Sequence, residues 1–282
     1  MPASPRPPAV LLVTTLVMMA FAANSVLARL ALRTTAVDAA TFTGVRLLAG
    51  AVVLAVIVRA RGGRLGGGWA SAAALFVYAA AFSFAYLSLA AGTGALLLFG
   101  AVQLTMIGWG VARGERLGAW QMVGVATALG GLVVLVAPGV RAPAPGPALL
   151  MVASGVAWGA YSLRGRGVAD PAGATAGNFV RAVPLGAALA VAVAAGGGTL
   201  RPDPAGVGLA VLSGAVTSGL GYVAWYAVLP SLRAASAATV QLSVPVLAAL
   251  GGVALLGEPV TARLAVASAV TLGGIALVVR AR

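Results

Sequence analysis

The chain contains no cysteine, no lysine and no histidine. Without thiols there is no disulfide framework, thiolate nucleophile or thiol metal site, and without imidazole the commonest metal ligand and neutral-pH base are missing. Acids are almost as scarce: the 282 residues hold only Asp38, Glu115, Asp170, Asp203 and Glu258. Enzymes of the bilayer draw on His, Asp pairs, Cys or metal ligands, so the composition argues against an enzyme and implies no catalytic residue, metal or cofactor. Charged residues make up 8% of the chain and hydrophobic ones 61%, against about a quarter and a half in soluble domains. An ordinary soluble protein is excluded. All 18 basic residues are Arg, which with the abundant Ala and Gly suggests a GC-rich coding sequence.

What is present is a series of long uncharged windows. A helical span needs roughly 20 apolar residues, and Leu65 to Ala112, free of charge, is about twice that length. It reads as two helices with a turn at Gly92-Thr93-Gly94. Four more spans run Leu117 to Val140, Ala142 to Leu163, Pro204 to Leu232 and Ala234 to Gly257. Val10 to Ala28, Val37 to Val58, Ala172 to Ala195 and Val260 to Val279 complete ten. An alternative for the first is a signal peptide, with Arg6 as its basic region and small residues from Ala20 to Ala23. No room remains for a soluble domain.

The net charge of +13 invites a nucleic-acid reading, but the arginines stand singly between apolar stretches and form no patch. Positive-inside anchoring accounts for them better, and no nucleic-acid partner is expected. Arg6, Arg59, Arg61, Arg64, Arg113, Arg116, Arg164, Arg166, Arg233, Arg280 and Arg282 fall on one side of the ten-span topology; Arg29, Arg33, Arg141, Arg201 and Arg263 fall on the other. Both termini are therefore expected in the cytoplasm.

The chain also repeats itself. A shift of 143 residues lays Ser88 to Val136 on Ser231 to Val279 without a gap: Ser88-Leu89 falls on Ser231-Leu232, Ala91 and Ala95 on Ala234 and Ala238, Leu104 and Gly108 on Leu247 and Gly251, Gly114-Glu115 on Gly257-Glu258, and Leu129-Gly130-Gly131 on Leu272-Gly273-Gly274. Earlier, Ser25 and Arg29 match Ser162 and Arg166, and Val45-Arg46 matches Val180-Arg181. The expected organisation is all-α, a polytopic membrane protein of two five-helix repeats, residues 1–140 and 141–282. An odd number of spans per repeat inverts the second copy, and the substrate site of such carriers lies near the midplane between the repeats.

With these features the chain resembles the EamA-type transporters of the drug/metabolite transporter superfamily. The resemblance covers essentially the whole sequence: five-plus-five helices, Ala22-Ala23-Asn24-Ser25 in the first, Arg46 and Arg181 in the second helix of each half, Trp158-Gly159 early in the sixth, Gly-Glu before the last helix of each half, and Pro245 in the ninth. The fourth helix departs from the family, with Val102 where a counterpart Pro is usual. The resemblance, strongest to the amino-acid exporter branch, implies a bacterial inner-membrane protein that moves small organic solutes.

Candidate cavity residues are the mid-span amides Asn24, Gln103 and Gln241, costly against lipid, and the aromatics Tyr78, Phe82, Phe99, Trp158, Tyr161, Tyr222 and Trp225. Tyr78 with Phe82, Trp158 with Tyr161 and Tyr222 with Trp225 each share a helical face; belt or packing roles are the alternative. Arg46 and Arg181 lie well inside their spans and must face protein or water. They could meet a substrate carboxylate or, the reading favoured here because both repeats carry one, bond helix-end carbonyls as structural residues. Glu115 and Glu258 are expected to cap or pair at opposite faces, with Pro259 in a first helical turn. Asp38 is expected to cap the second helix. Pro184 and Pro245 should kink theirs, and Gly155 and Gly159 permit close packing. No carboxylate lies mid-span, so movement down a gradient is favoured over proton coupling.

The reading is a secondary transporter exporting amino acids, aromatic or otherwise apolar, or related metabolites by alternating access. A lipid flippase or passive channel on the same scaffold is the alternative. Partners are the small-molecule substrate and the bilayer, with the protein a monomer or weak homo-oligomer.

Overall fold

A computed structural model describes residues 7–139, 142–228, 231–232 and 240–280. Arg6, Arg141, Arg233 and Arg282 of the charge asymmetry, and Ala234 and Ala238 of the duplication, lie outside the described residues. Ten helices make up most of the described chain: α1 Pro7–Thr34, α2 Ala39–Ala60, α3 Trp69–Tyr86, α4 Ala91–Ala112, α5 Ala119–Val136, α6 Pro145–Arg164, α7 Pro171–Ala195, α8 Pro204–Val228, α9 Ser243–Leu256 and α10 Ala262–Arg280. Among the described residues, nine are long and apolar enough to cross a membrane, and α9 is a shorter apolar helix. The protein is an all-helical, multi-pass membrane protein. Leu11, Leu12, Trp120, Leu149 and Leu255 are among the large apolar side chains left exposed on its outside, where hydrocarbon replaces water.

Local chemistry starts several of these helices. Asp38, Asp170 and Asp203 each accept N–H bonds from the first turn of α2, α7 and α8, and Pro171 and Pro204 open α7 and α8, where a missing N–H costs nothing. Asp38 thus caps α2 as expected, and its other oxygen accepts from the Arg201 backbone N–H at 2.6 Å, tying the α7–α8 connection to it. Burial pushes the Asp38 carboxyl up, but the bonds from the Arg201 N–H, the Thr41 hydroxyl and the Thr41 and Ala40 N–H groups outweigh it. Together they hold the carboxyl below the usual carboxylate range.

Two local expectations need correction. The turn between α3 and α4 runs through Leu87 to Ala90, and Gly92-Thr93-Gly94 sits inside α4. Those glycines are packing residues: a Cβ on Gly92 would meet Ala249 at 2.6 Å, and one on Gly94 would meet the Tyr86 ring at 2.5 Å. Pro259 lies in the link ahead of α10, which starts at Ala262. Pro245 stands in the first turn of α9, three residues past a helix interruption at Leu242 that helical Val240 and Gln241 precede. Pro184 is inside a continuous α7, and α4, which lacks a proline, runs unbroken.

Neighbouring helices form a closed ring in the order α1, α9, α4, α6, α3, α7, α2, α8 and back to α1, with α5 and α10 paired outside it against α4. Small residues set the close approaches. A Cβ on Gly155 of α6 would meet Leu98 and Ala101 of α4, and one on Gly159 would meet Thr105, which is the packing role expected of that pair. Gly214 of α8 lies directly on the Arg46 backbone of α2.

Contacts between connections define two faces. On one, Gly66 of the α2–α3 link donates to Gly173 O at the start of α7, and Arg164 reaches Ser71 at 3.2 Å; the Arg-rich links lie here. On the other, Arg29 and Arg33 meet Glu258 and the end of α9, and Arg263 donates to carbonyls at the end of α5, Ala137 O among them. Arg29, Arg33 and Arg263, three of the arginines that dilute the charge asymmetry, are thus bonded to helix ends and to Glu258, a role set by tertiary neighbours.

Candidate solute site

The interior of the ring holds a polar network fed by four helices. Asn24 of α1 donates through Nδ2 to the Tyr78 hydroxyl of α3 at 3.2 Å. Its Oδ1 accepts from Ser213 at 2.7 Å and Thr217 at 3.2 Å, both on α8. Arg46 of α2 donates through Nη2 to the same Tyr78 oxygen at 2.8 Å and to Ser218 Oγ at 3.4 Å. Its guanidinium lies 5.0 Å from the Tyr78 ring centroid and 4.8 Å from that of Phe82, within cation–π range. The α8 contributors fall in Ser213–Leu220, where the helix widens to π geometry, an irregularity that concentrates at functional sites.

Beside this network is a narrow central cavity of about 20 Å³, lined by Phe21, Asn24, Ser25, Tyr78, Phe82, Leu98, Phe99, Trp158, Thr217, Ser218 and Tyr222. That volume suits about one water; a solute enters only if the aromatic walls part. Trp158 is the hub of those walls, its ring 4.8 Å from Tyr78, 5.0 Å from Tyr222 and 5.4 Å from Tyr161, the last stacked at 26°.

Tyr161 belongs to a second cavity, a vestibule of about 370 Å³ at the Arg-rich face, lined also by Gly67, Gly68, Ser71, Arg164, Asn178 and Tyr226. This is within the usual size of a small-molecule pocket. Asn178 Oδ1 accepts from Gly68 N at 2.9 Å, and its Nδ2 donates to the Tyr161 hydroxyl at 3.5 Å. The stacked Trp158 and Tyr161 rings therefore form the partition between vestibule and central cavity.

The opposite face is closed by a carboxylate. Buried Glu258 accepts from Arg29 Nε at 3.0 Å and from the Ala91 N–H at 2.7 Å, with Arg33 Nη1 4.0 Å away. Arg29 also donates to Tyr86 O and Leu87 O. Glu258 thus caps α4 and not the helix that follows it in sequence, because the α9–α10 link folds onto the start of α4. One carboxylate joins α1, the end of α3, α4 and the α9–α10 link. Glu115 stands in the α4–α5 link at the other face.

Six of the ten expected cavity residues line the central cavity: Asn24, Tyr78, Phe82, Phe99, Trp158 and Tyr222. Tyr161 lines the vestibule. Gln103 is buried on α4 outside both linings, Trp225 sits edge-on to Phe21 at 6.2 Å, and Gln241 precedes α9 and lines neither cavity. Arg46 lies beside the central cavity, bonded to its lining. Arg181 is half-buried and donates to Gly66 O at 2.6 Å and Gly177 O at 2.9 Å, serving the α2–α3 link. Phe21, Ser25, Leu98, Thr217 and Ser218 were not anticipated. Phe21, Asn24 and Ser25 share one helical face, and the run Ser213-Gly-Ala-Val-Thr-Ser-Gly219 places three hydroxyls mid-span, so both signals were in the sequence.

A bundle of membrane-spanning helices with a central cavity and a separate vestibule is the build of a membrane transporter of small solutes. The model of the EamA-like transporter family matches residues 146–280. An uncharacterised protein of Pseudomonas aeruginosa is 56% identical over 275 residues, 96% of this chain and 95% of that protein. An uncharacterised transporter of Archaeoglobus fulgidus is 33% identical over 172 residues, 60% of each. A solved crystal structure covers 97% of this chain, and the chain 98% of it, at a TM-score of 0.67 and 23% identity, a likeness of fold. The second half of the chain thus matches the EamA-like transporter family. The match points to a membrane transporter.

Proposed function

We propose that the protein is a secondary transporter of the bacterial inner membrane that exports amino acids with aromatic or other apolar side chains, or related metabolites, by alternating access. The observation that carries this reading is the partition between its two cavities. A vestibule large enough for an amino acid opens at the Arg-rich face, a stacked Trp158–Tyr161 pair separates it from the central cavity, and Glu258 ties the opposite face shut. A channel requires one continuous path; two barriers in series favour a carrier. By the positive-inside rule the vestibule faces the cytoplasm, with both termini there, so the solute loads from inside.

Two inverted repeats, 1–140 and 141–282, supply the moving halves. The support is reciprocity. Exchanging each helix for the one five places on maps the ring of neighbours onto itself. At the α5–α10 contact, Gly131 lies on Ala267 and Thr271, while its match Gly274 lies on their counterparts Gly124 and Ala128.

The test is counterflow in proteoliposomes with a panel of amino acids. Saturable exchange, persisting with no imposed proton gradient because the five acids all stand at helix ends or links, is the expected result. Strict dependence on a pH gradient would remove the gradient-following mechanism, and non-saturating flux would favour a channel. Single-residue reporters should place Arg61 and Arg164 in the cytoplasm and Arg201 outside; a cytoplasmic Arg201 ends the inverted arrangement.

A further inference from the structure

We propose that the central cavity is a carboxylate site, in which Arg46 is the counter-charge for a solute bearing a carboxylate on an apolar or aromatic body, and that it selects such solutes against amines of the same shape. The inference rests on the carrier reading above and names its substrate class.

Arg46 is 2% exposed. Its Nη2 is committed to Tyr78 and Ser218, both of which line the cavity, and its guanidinium lies against the ring of Phe82, which also lines it. Its Nη1 is buried and has no hydrogen-bond partner among the described residues. A buried guanidinium ordinarily satisfies its donors, most effectively with the two oxygens of a carboxylate. Here none of the chain's own carboxylates is in place to do so. Asp38, Asp170 and Asp203 cap α2, α7 and α8, Glu258 is held by Arg29 and Ala91, and Glu115 stands in the α4–α5 link. A cation in a low-dielectric interior, balanced only by hydroxyls and ring faces, makes the adjoining cavity favourable to an anion and unfavourable to a second cation.

The rest of the lining agrees. No carboxylate is available there for an ammonium group, and Asn24 Oδ1, which could have accepted from one, is already taken by Ser213 and Thr217. Phe21, Leu98 and Phe99 offer an apolar body only contact area. The acidic end of the solute is therefore the end the protein reads, and an amino acid binds through it.

Three probes share one ring and differ in the charged end: phenyllactate, phenylalanine and phenylethylamine. Binding to the purified full-length protein is read from tryptophan fluorescence, and transport from competition in counterflow. The expected result is that phenyllactate and phenylalanine bind at least tenfold more tightly than phenylethylamine. Arg46→Gln should erase that preference by weakening the acids, and Arg46→Lys should keep part of it. Equal affinity of amine and acid for the unaltered protein, or a preference that survives Arg46→Gln, overturns the proposal; the probe series on the unaltered protein decides it even where a variant does not fold. Selective acid binding without counterflow keeps the carboxylate site and removes the carrier. Counterflow that accepts amines and acids alike keeps the carrier and removes the site.

Discussion

The Tyr78 hydroxyl accepts from Asn24 and Arg46 while its ring packs on Trp158 and Phe82, whereas Trp158 contributes only its ring plane to the partition between the cavities. Removing the two should therefore have different consequences. Trp158→Leu keeps apolar volume but loses the stacked plane, and counterflow is expected to fall at least tenfold with a small change in melting temperature. Tyr78→Leu removes the acceptor of buried Asn24 Nδ2 and leaves Arg46 Nη2 with Ser218 alone, a loss of about 1–3 kcal/mol for a buried donor left unpaired, so thermal unfolding should shift much further. Equal melting shifts in the two variants would count against the hydrogen-bond network described here. Asp38 gives a pH signature. Its carboxyl is held below the ordinary range in the folded protein, so its contribution is present above the unfolded value, near pH 4, and is lost as pH falls through the lower folded value. Melting temperature measured from pH 5 downward should fall more steeply for the unaltered protein than for Asp38→Asn, which has no proton to gain there.

At the scale of elements, the glycines separate packing from composition. Gly130 and Gly131 are adjacent on α5, yet a Cβ on Gly130 would meet nothing within 4 Å, while one on Gly131 would drive into the Thr271 side chain and lie 2.6 Å from its backbone N. Gly130→Ala is expected to be neutral or slightly stabilising, because alanine is the better helix former by about 1 kcal/mol. Gly131→Ala should lower folded yield by forcing α5 from α10. Comparing the two by size-exclusion recovery and thermal unfolding tests the α5–α10 contact directly. The Leu-Gly-Gly duplication was visible in sequence, but which glycine of each pair faces the partner depends on how the helices are rotated. The same limit explains the misplaced α3–α4 turn: Gly-Thr-Gly is turn chemistry by composition, and only the Tyr86 ring and Ala249 packed against it show that the residues belong to a helix.

For the whole molecule, the Glu258 junction is the closure of one face, and its removal should shift the population of states. Glu258→Gln keeps an oxygen for the Ala91 N–H but loses the charge that holds Arg29. Since the chain has no cysteine of its own, a single Cys placed at buried Ala91, whose N–H Glu258 holds, reports opening of that face. Labelling is expected to accelerate several-fold in the Glu258→Gln background, and an unchanged rate would show that the junction does not hold the face shut. Composition and hydropathy by themselves determined that this chain lives in a bilayer as ten apolar helices, because lipid demands long uncharged windows whatever the fold. Residue type also pointed to most of the cavity, since aromatics and amides at helical spacing are legible one helix at a time. What only the tertiary structure decided is which side chains from different helices meet. Glu258 serves the start of α4 instead of its own helix, Tyr161 belongs to the vestibule and not the central cavity, and Gln103 and Gln241 stay out of both. Hydropathy sets the depth of a residue but not the rotation of its helix or the identity of its neighbours, and it is those neighbours that leave Arg46 buried without a carboxylate.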